Sequence, residues 1–200
     1  MFSNPLDLYK LSIEYALPNS RVNAARRLSG GEHNLLNPAF LSELSPTRLL
    51  DRNIVTIAAI QGARYKIITE ALLHFDTPHW QLLFRNQHFL AASCEICQKL
   101  IRTARHDASF TPLPGWAMTW AVATHKALAA APLDQCLRFF DAGIFNTFEN
   151  ADFTCLACLS CLVTDRAERA RESFNGWAIY PKDLLETRLA ALDPLLHLIC

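Results

Sequence analysis

The chain has 200 residues, of which 51% are hydrophobic and 19% are charged. Lysine and arginine together number 19, as do aspartate and glutamate, so the formal net charge at neutral pH is zero. This composition excludes a disordered chain, and the lack of a basic surplus argues against nucleic acid as a partner. The length suits one domain, and we expect a compact multi-helix domain over residues 1–200.

The predicted elements are helices throughout, because helical spacings of apolar residues recur along the chain while alternating strand patterns do not. The predicted fold class is therefore all-α. A helix is expected over 6–15 and another over 21–28, capped by Ser20. The glycines that follow favour a flexible loop near 29–34. Further helices are expected to start at Asn37-Pro38, at Ser45-Pro46 and at Trp116, and to cover 51–75, 77–101, 133–148, 153–163, 166–174, 184–192 and 195–199.

Two positions in these helices raise specific questions about burial. Arg64 falls within the apolar face of the 51–75 helix, so it either extends past the core into water or is a buried cation that needs a carboxylate partner. The first alternative is favoured. The apolar segment 195–200 is expected to dock on the body of the protein or on another protein, with docking on its own body favoured.

Seven cysteines, an odd number, predict reduced thiols instead of a disulfide framework, because the N-terminus lacks the basic start and apolar run of a secretory signal. No window approaches the length of a membrane-spanning helix; the most apolar stretch, 115–131, is interrupted by His125 and Lys126. We therefore expect a cytoplasmic protein that does not itself span the membrane.

The cysteine spacing raises the question of a metal site. Cys94 and Cys97 are three positions apart, as are Cys155, Cys158 and Cys161, and this spacing occurs in zinc and iron–sulfur ligation. The pairs lie, however, on predicted helices among leucine and alanine, without the knuckle turns that direct backbone amides at sulfur. The favoured interpretation is that these cysteines are small buried hydrophobic residues. No metal and no cofactor are expected.

The sequence contains none of the motifs that identify common catalytic sites. There is no nucleophile elbow, no phosphate-binding loop and no paired histidines with metalloprotease spacing. No catalytic residue and no small-molecule substrate are predicted. An enzyme with a dispersed site, built from residues such as Asp76, His79 and His88, remains a less favoured alternative.

Large aromatic side chains are the remaining candidates for function. Interface hot spots are enriched in tryptophan, tyrosine and arginine, although core packing is the commoner role of any one aromatic residue. The partner-binding candidates chosen on this basis are Tyr9, Tyr15, Arg21, Trp116 and Trp120.

Two segments carry a resemblance to a known family. The first runs from Leu8-Tyr9-Lys10 through Tyr15 to Pro18-Asn19-Ser20-Arg21-Val22; the second runs from Trp80 through Leu113-Pro114-Gly115-Trp116-Ala117 to His125. Together they resemble the type III secretion sorting-platform adaptors, the YscK/OrgA/MxiK group. The resemblance implies a non-enzymatic cytoplasmic adaptor that bridges the cytoplasmic domain of the inner-membrane ring to the pod protein of the sorting platform. Such an adaptor would lie at the inner membrane through its protein partners. A helical chaperone or regulator of one client remains the alternative.

Overall fold

The computed structural model describes residues 4–32, 35, 37, 52–77, 80, 83, 86–104, 113–149, 156–163 and 168–197. Every regular element in these ranges is a helix and none is a strand, which confirms the all-α fold. The α-helices are α1 (Pro5–Glu14), α2 (Pro18–Arg27), α3 (Arg52–Leu72), α4 (Gln87–Ala91), α5 (Glu95–Ala104), α6 (Gly115–Ala130), α7 (Leu156–Val163), α8 (Glu168–Ala190) and α9 (Asp193–His197). A π-helical turn spans Leu28–Glu32, and 3₁₀ helices span Leu133–Phe140 and Ala142–Thr147.

The chain divides into two compact units, neither of which is one continuous stretch. The first comprises 1–69, 127–133 and 185–200, and the second comprises 70–126 and 134–184. This division does not test whether the units fold together as one domain, so the single domain expected over 1–200 stays a prediction. The helix starts expected at Asn37-Pro38 and Ser45-Pro46 lie outside the described residues, except for Asn37 itself. No helix within the described ranges combines the length and apolar character needed to cross a bilayer.

The first two helices are joined by a tight turn in the first unit. Asn4 caps α1, because its Oδ1 accepts the Leu6 N–H at 2.9 Å. After α1, Ala16 adopts a φ of 50°, the left-handed region that ends a helix and reverses the chain. Helix α2 then begins at Pro18, so the predicted cap at Ser20 is wrong. The fixed φ of proline suits the first helical position and moves the start of the helix forward.

The core of the first unit is an aliphatic cluster that also contains one tyrosine. Leu196 of α9 belongs to it, so docking of the C-terminal segment on the body of the protein is confirmed at this residue. Leu195 is exposed, and 198–200 lie outside the described residues. Asp193 at the start of α9 also lies 3.9 Å from the Arg26 guanidinium of α2. The cluster consists of Leu6, Tyr9, Ala24, Ala25, Leu28, Leu35, Ile54, Ile57, Ile60 and Leu196.

The segment after α2 differs from the flexible loop expected near 29–34. Residues Leu28–Glu32 form a π-helical turn in which Leu28, Ser29 and Gly30 are buried; positions 33 and 34 lie outside the described residues. The Gln61 side chain of α3 holds this region, since its Nε2 donates to the Leu28 carbonyl oxygen at 3.2 Å and its Oε1 accepts the Leu35 N–H at 2.8 Å. Satisfaction of buried backbone groups therefore outweighs the conformational freedom of the glycines.

The favoured expectation that Arg64 extends past the core into water is wrong, because the residue is buried. Its side chain is buried, with 8% of its surface exposed, and its Nη2 donates to the carbonyl oxygen of Ala131 at 2.8 Å. Ala131 directly follows the last residue of α6. The guanidinium therefore meets the C-terminal end of a helix, where the partial negative charge of the carbonyl groups favours a cation.

The second unit is built around aromatic rings that pack mainly edge to face. Trp177 of α8 is central, with ring centroids 5.2 Å from Trp116 and 5.0 Å from Trp120 of α6. Phe89 of α4 and Phe174 of α8 contact Trp116 at 5.2 and 5.3 Å. Aromatic pairs in this geometry add to the stabilisation from their buried area, so the tryptophans hold this unit together.

Helix boundaries in the second unit depart from the prediction at three places. The helix expected over 77–101 is interrupted between α4 and α5, where Gln98 Nε2 donates to the Ser93 carbonyl oxygen at 2.7 Å and stabilises the bend. The segment 133–148 forms two 3₁₀ helices, the second capped by Asp141. The break expected between 174 and 184 does not occur, because α8 continues through Pro181.

Candidate functional site

Three cysteine sulfurs meet in the interior of the second unit. The Sγ atoms of Cys94, Cys97 and Cys158 all lie within 4.8 Å of one another. Cys158 Sγ is 3.5 Å from Cys94 Sγ and 3.3 Å from Cys97 Sγ. All three side chains are buried. We call this group the three-cysteine cluster.

The bend before α5 and helix α7 supply these sulfurs. Cys94 lies outside the helix, and its carbonyl oxygen accepts the Gln98 N–H at 2.9 Å, so it occupies the cap position of α5. Cys97 follows in the first turn of α5, which brings its side chain back toward Cys94. Cys158 lies in α7, which packs against the 3₁₀ helix Ala142–Thr147.

Burial governs the protonation of the cluster. It raises the pKa of the Cys97 thiol and the pKa of the Cys158 thiol, because a thiolate loses its hydration in the interior. Two backbone amides act in the opposite direction on these pKa values: the Gly115 N–H donates to Cys97, and the Cys94 N–H donates to Cys158. Burial therefore favours the protonated thiols of Cys97 and Cys158, while amide donors are directed at both of these sulfurs.

The sequence analysis singled out these cysteines by their spacing but did not predict that their sulfurs meet. Helical periodicity placed Cys94 within a helix, whereas it lies at a bend, and backbone amides do point at sulfur. The burial expected for Cys94, Cys97 and Cys158 is confirmed. Cys161, one turn further along α7, is half-buried, and Cys155 lies outside the described residues. Which cysteines meet depends on how α5 and α7 pack, and spacing alone carries no signal for that.

Thiolates are soft ligands, so the chemistry open to the cluster is metal binding or thiol–disulfide exchange. Exchange requires a thiolate that an external disulfide can reach. The burial of all three side chains opposes it, because an external disulfide cannot reach the sulfurs. The geometry therefore favours a metal ligand set over a redox dithiol.

The five partner-binding candidates separate into core and surface positions. Tyr9, Trp116 and Trp120 have no exposed surface, so in this structure they serve as packing residues of their units. Tyr15 is 64% exposed at the turn between α1 and α2. Arg21, in α2, is half-buried; its Nε is buried and makes no hydrogen bond with the described part of the chain. Apolar periodicity alone could not separate the buried candidates from the exposed ones. Tyr15 lies just beyond the end of α1, whereas Tyr9, Trp116 and Trp120 lie on the inward faces of their helices.

The two described residues of the suggested dispersed enzyme site, Asp76 and His88, lie on different elements of the second unit. Asp76 is exposed, in the turn after α3. His88 is half-buried in α4, and its imidazole approaches Gly176 of α8 so closely that a Cβ there would lie 3.3 Å from Nδ1. His79 lies outside the described residues. The contact with Gly176 gives His88 a packing role.

Comparison of the chain with protein-family models, with curated proteins and with solved structures gives no significant match.

Proposed function

We propose that this chain is a non-enzymatic adaptor that binds partner proteins through the turn between α1 and α2. The observation that carries the proposal is the exposure of two large side chains on this turn, Tyr15 at 64% and Leu17 at 48%. We call these two residues the exposed turn pair. A tyrosine beside an aliphatic side chain at a loop tip offers a partner contact area that water solvates poorly.

Backbone hydrogen bonds hold the exposed turn pair in place. The Tyr15 N–H donates to the Leu11 carbonyl oxygen at 2.9 Å, and the Leu17 N–H donates to that of Ser12 at 2.9 Å. The Leu17 carbonyl oxygen in turn accepts the Arg21 N–H at 3.0 Å. A turn tied to both flanking helices loses little conformational entropy on binding, and such preorganisation improves affinity.

The resemblance to the sorting-platform adaptors supplies the identity of the partners. The exposed turn pair lies within the segment 8–22 that resembles the opening of that family. On this basis the partners are the cytoplasmic domain of the inner-membrane ring and the pod protein of a type III secretion system. The adaptor works in the cytoplasm and reaches the inner membrane through the ring protein.

The test measures binding of the full chain to each of these two proteins, purified from the same organism, by calorimetry or light scattering. We expect a complex with each partner, and we expect the double variant Tyr15→Ala/Leu17→Ser to weaken one of them about tenfold or more. Tyr65→Ala is the matched control, since Tyr65 is 49% exposed on α3 and lies outside the turn.

Two results would contradict the proposal. Equal binding by the wild type and the double variant would remove the exposed turn pair from the interface. Failure of the wild type to bind either partner, together with a stable complex with one unrelated client, would favour the chaperone alternative.

A further inference from the structure

The three-cysteine cluster has the dimensions of a metal-thiolate site. In tetrahedral zinc sites the Zn–S bonds are about 2.3 Å, which places neighbouring sulfurs about 3.8 Å apart. The sulfur separations here are 3.3 Å and 3.5 Å from Cys158, and every pair lies within 4.8 Å. Adjustments of a few tenths of an ångström to about one ångström would bring all three sulfurs to one ion.

We propose that Cys94, Cys97 and Cys158 bind one zinc ion through their three sulfur atoms. As each Zn–S bond forms, the S–H bond of that cysteine breaks and its proton leaves for solvent, so no electron is transferred and no oxidant is required. Within the described ranges no fourth cysteine, histidine or carboxylate joins the group. One tetrahedral position is thus left for a further ligand.

Local charge compensation supports an anionic sulfur cluster around a cation. The Gly115 N–H donates to Cys97 and the Cys94 N–H donates to Cys158, an arrangement that stabilises thiolates. Cys94 and Cys97 also lie at the N-terminal end of α5, whose helix dipole favours negative charge. The two positive charges of Zn²⁺ offset two of the three negative charges of the thiolates, which lowers the free-energy cost of burying them.

Cys136 is a buried cysteine of the same unit that lies outside the three-cysteine cluster. It belongs to the 3₁₀ helix Leu133–Phe140. The cluster, by contrast, brings together residues that are 61 and 64 positions apart along the chain. A zinc ion there would cross-link the bend before α5 to α7 and so stabilise the second unit. This role does not depend on the proposed adaptor function.

The first experiment is elemental analysis of the full chain, purified without chelators from cells grown with added zinc. We expect about one zinc per chain in the wild type and in Cys136→Ser, and a fall to background in Cys97→Ser and Cys158→Ser. Wild type without bound metal would count against the proposal, and copper or iron in its place would overturn the choice of zinc.

A second measurement keeps the test decisive if the serine variants do not fold. Wild-type protein is stripped of metal with a chelator, checked for helical content by circular dichroism, and titrated with Co²⁺. Binding to three thiolates produces an intense sulfur-to-cobalt charge-transfer absorption in the near ultraviolet, and zinc should displace it. A folded, metal-free chain that gives no such band even with excess Co²⁺ would overturn the site.

Discussion

The indole Nε1 of Trp120 donates a hydrogen bond of 2.6 Å to the carbonyl oxygen of Phe139. Trp116, one helical turn earlier on α6, is equally buried, yet its indole N–H has no hydrogen-bond partner within the described part of the chain. The two tryptophans therefore share a core and a helix but differ in one polar contact, so they form a matched pair for measuring it.

Replacement of each tryptophan by phenylalanine should separate this hydrogen bond from ring packing. Trp120→Phe leaves the Phe139 carbonyl oxygen buried without that donor, whereas Trp116→Phe removes an N–H that is already unsatisfied. We expect Trp120→Phe to lower the free energy of unfolding by about 1–3 kcal/mol more than Trp116→Phe. Urea denaturation followed by circular dichroism measures the difference. Equal losses would show that the bond contributes nothing beyond packing.

Gln61 should be essential for the packing of the first unit. Gln61→Leu keeps a similar volume but removes the donor to the Leu28 carbonyl oxygen and the acceptor for the Leu35 N–H. We expect a loss of about 2–4 kcal/mol in the free energy of unfolding, since two buried backbone groups lose their partner. Hydrogen exchange should show faster exchange of the Leu35 amide. Unchanged protection of that amide would contradict the role assigned to Gln61.

Arg64 should matter far more than an exposed cation on the same helix. Arg64→Met keeps most of the buried side-chain volume but removes the donor to the Ala131 carbonyl oxygen. We expect a loss of about 1–3 kcal/mol, measured by thermal or urea unfolding. Lys66→Met, at an exposed position of α3, should change the free energy of unfolding by less than about 0.5 kcal/mol. Similar effects of both variants would argue against a structural role for the buried guanidinium.

His125 should make stability depend on pH. Burial lowers its pKa below the ordinary value of about 6.5, because the imidazolium form loses hydration in the folded protein. Above that value the imidazole is neutral in both states. As the pH falls below it, the unfolded chain takes up the proton first, so the free energy of unfolding falls until the lowered pKa of the folded state is passed.

Unfolding by urea at several pH values between about 5 and 8 tests this dependence. We expect His125→Gln to reduce the slope of stability against pH relative to the wild type, whereas His74→Gln, at an exposed position, should keep it. An unchanged slope in His125→Gln would assign the dependence to other groups.

The sequence predicts the helical class of this fold because the spacing of apolar residues within a helix is a local signal. Apolar spacing marks α3 and α6 within a few residues of their observed positions, and the apolar character of Leu196 predicts its docking. These features depend on residues within one or two turns of each other. Local periodicity and burial preference are enough to read them.

Features that depend on distant residues could not be read in this way. Pro181 indicates a helix break by its missing N–H and its ring, yet α8 continues because residues on both sides of it, Trp177 and Leu185, are buried. Arg64 finds its acceptor 67 positions away, at Ala131. The three-cysteine cluster likewise depends on the packing of α5 and α7, so only the tertiary structure shows which sulfurs meet.

The core of the first unit has a consequence for how the chain folds during synthesis. It joins Leu6 of α1 to Leu196 of α9, so the first helix leaves the ribosome long before the residue that completes its burial exists. Contacts between such distant positions form slowly, because a long loop must close before they contribute. Every other member of this core lies between Leu6 and Ile60, so α1, α2 and α3 can begin to pack during synthesis, and the apolar surface that Leu196 covers stays open to other chains until α9 is made.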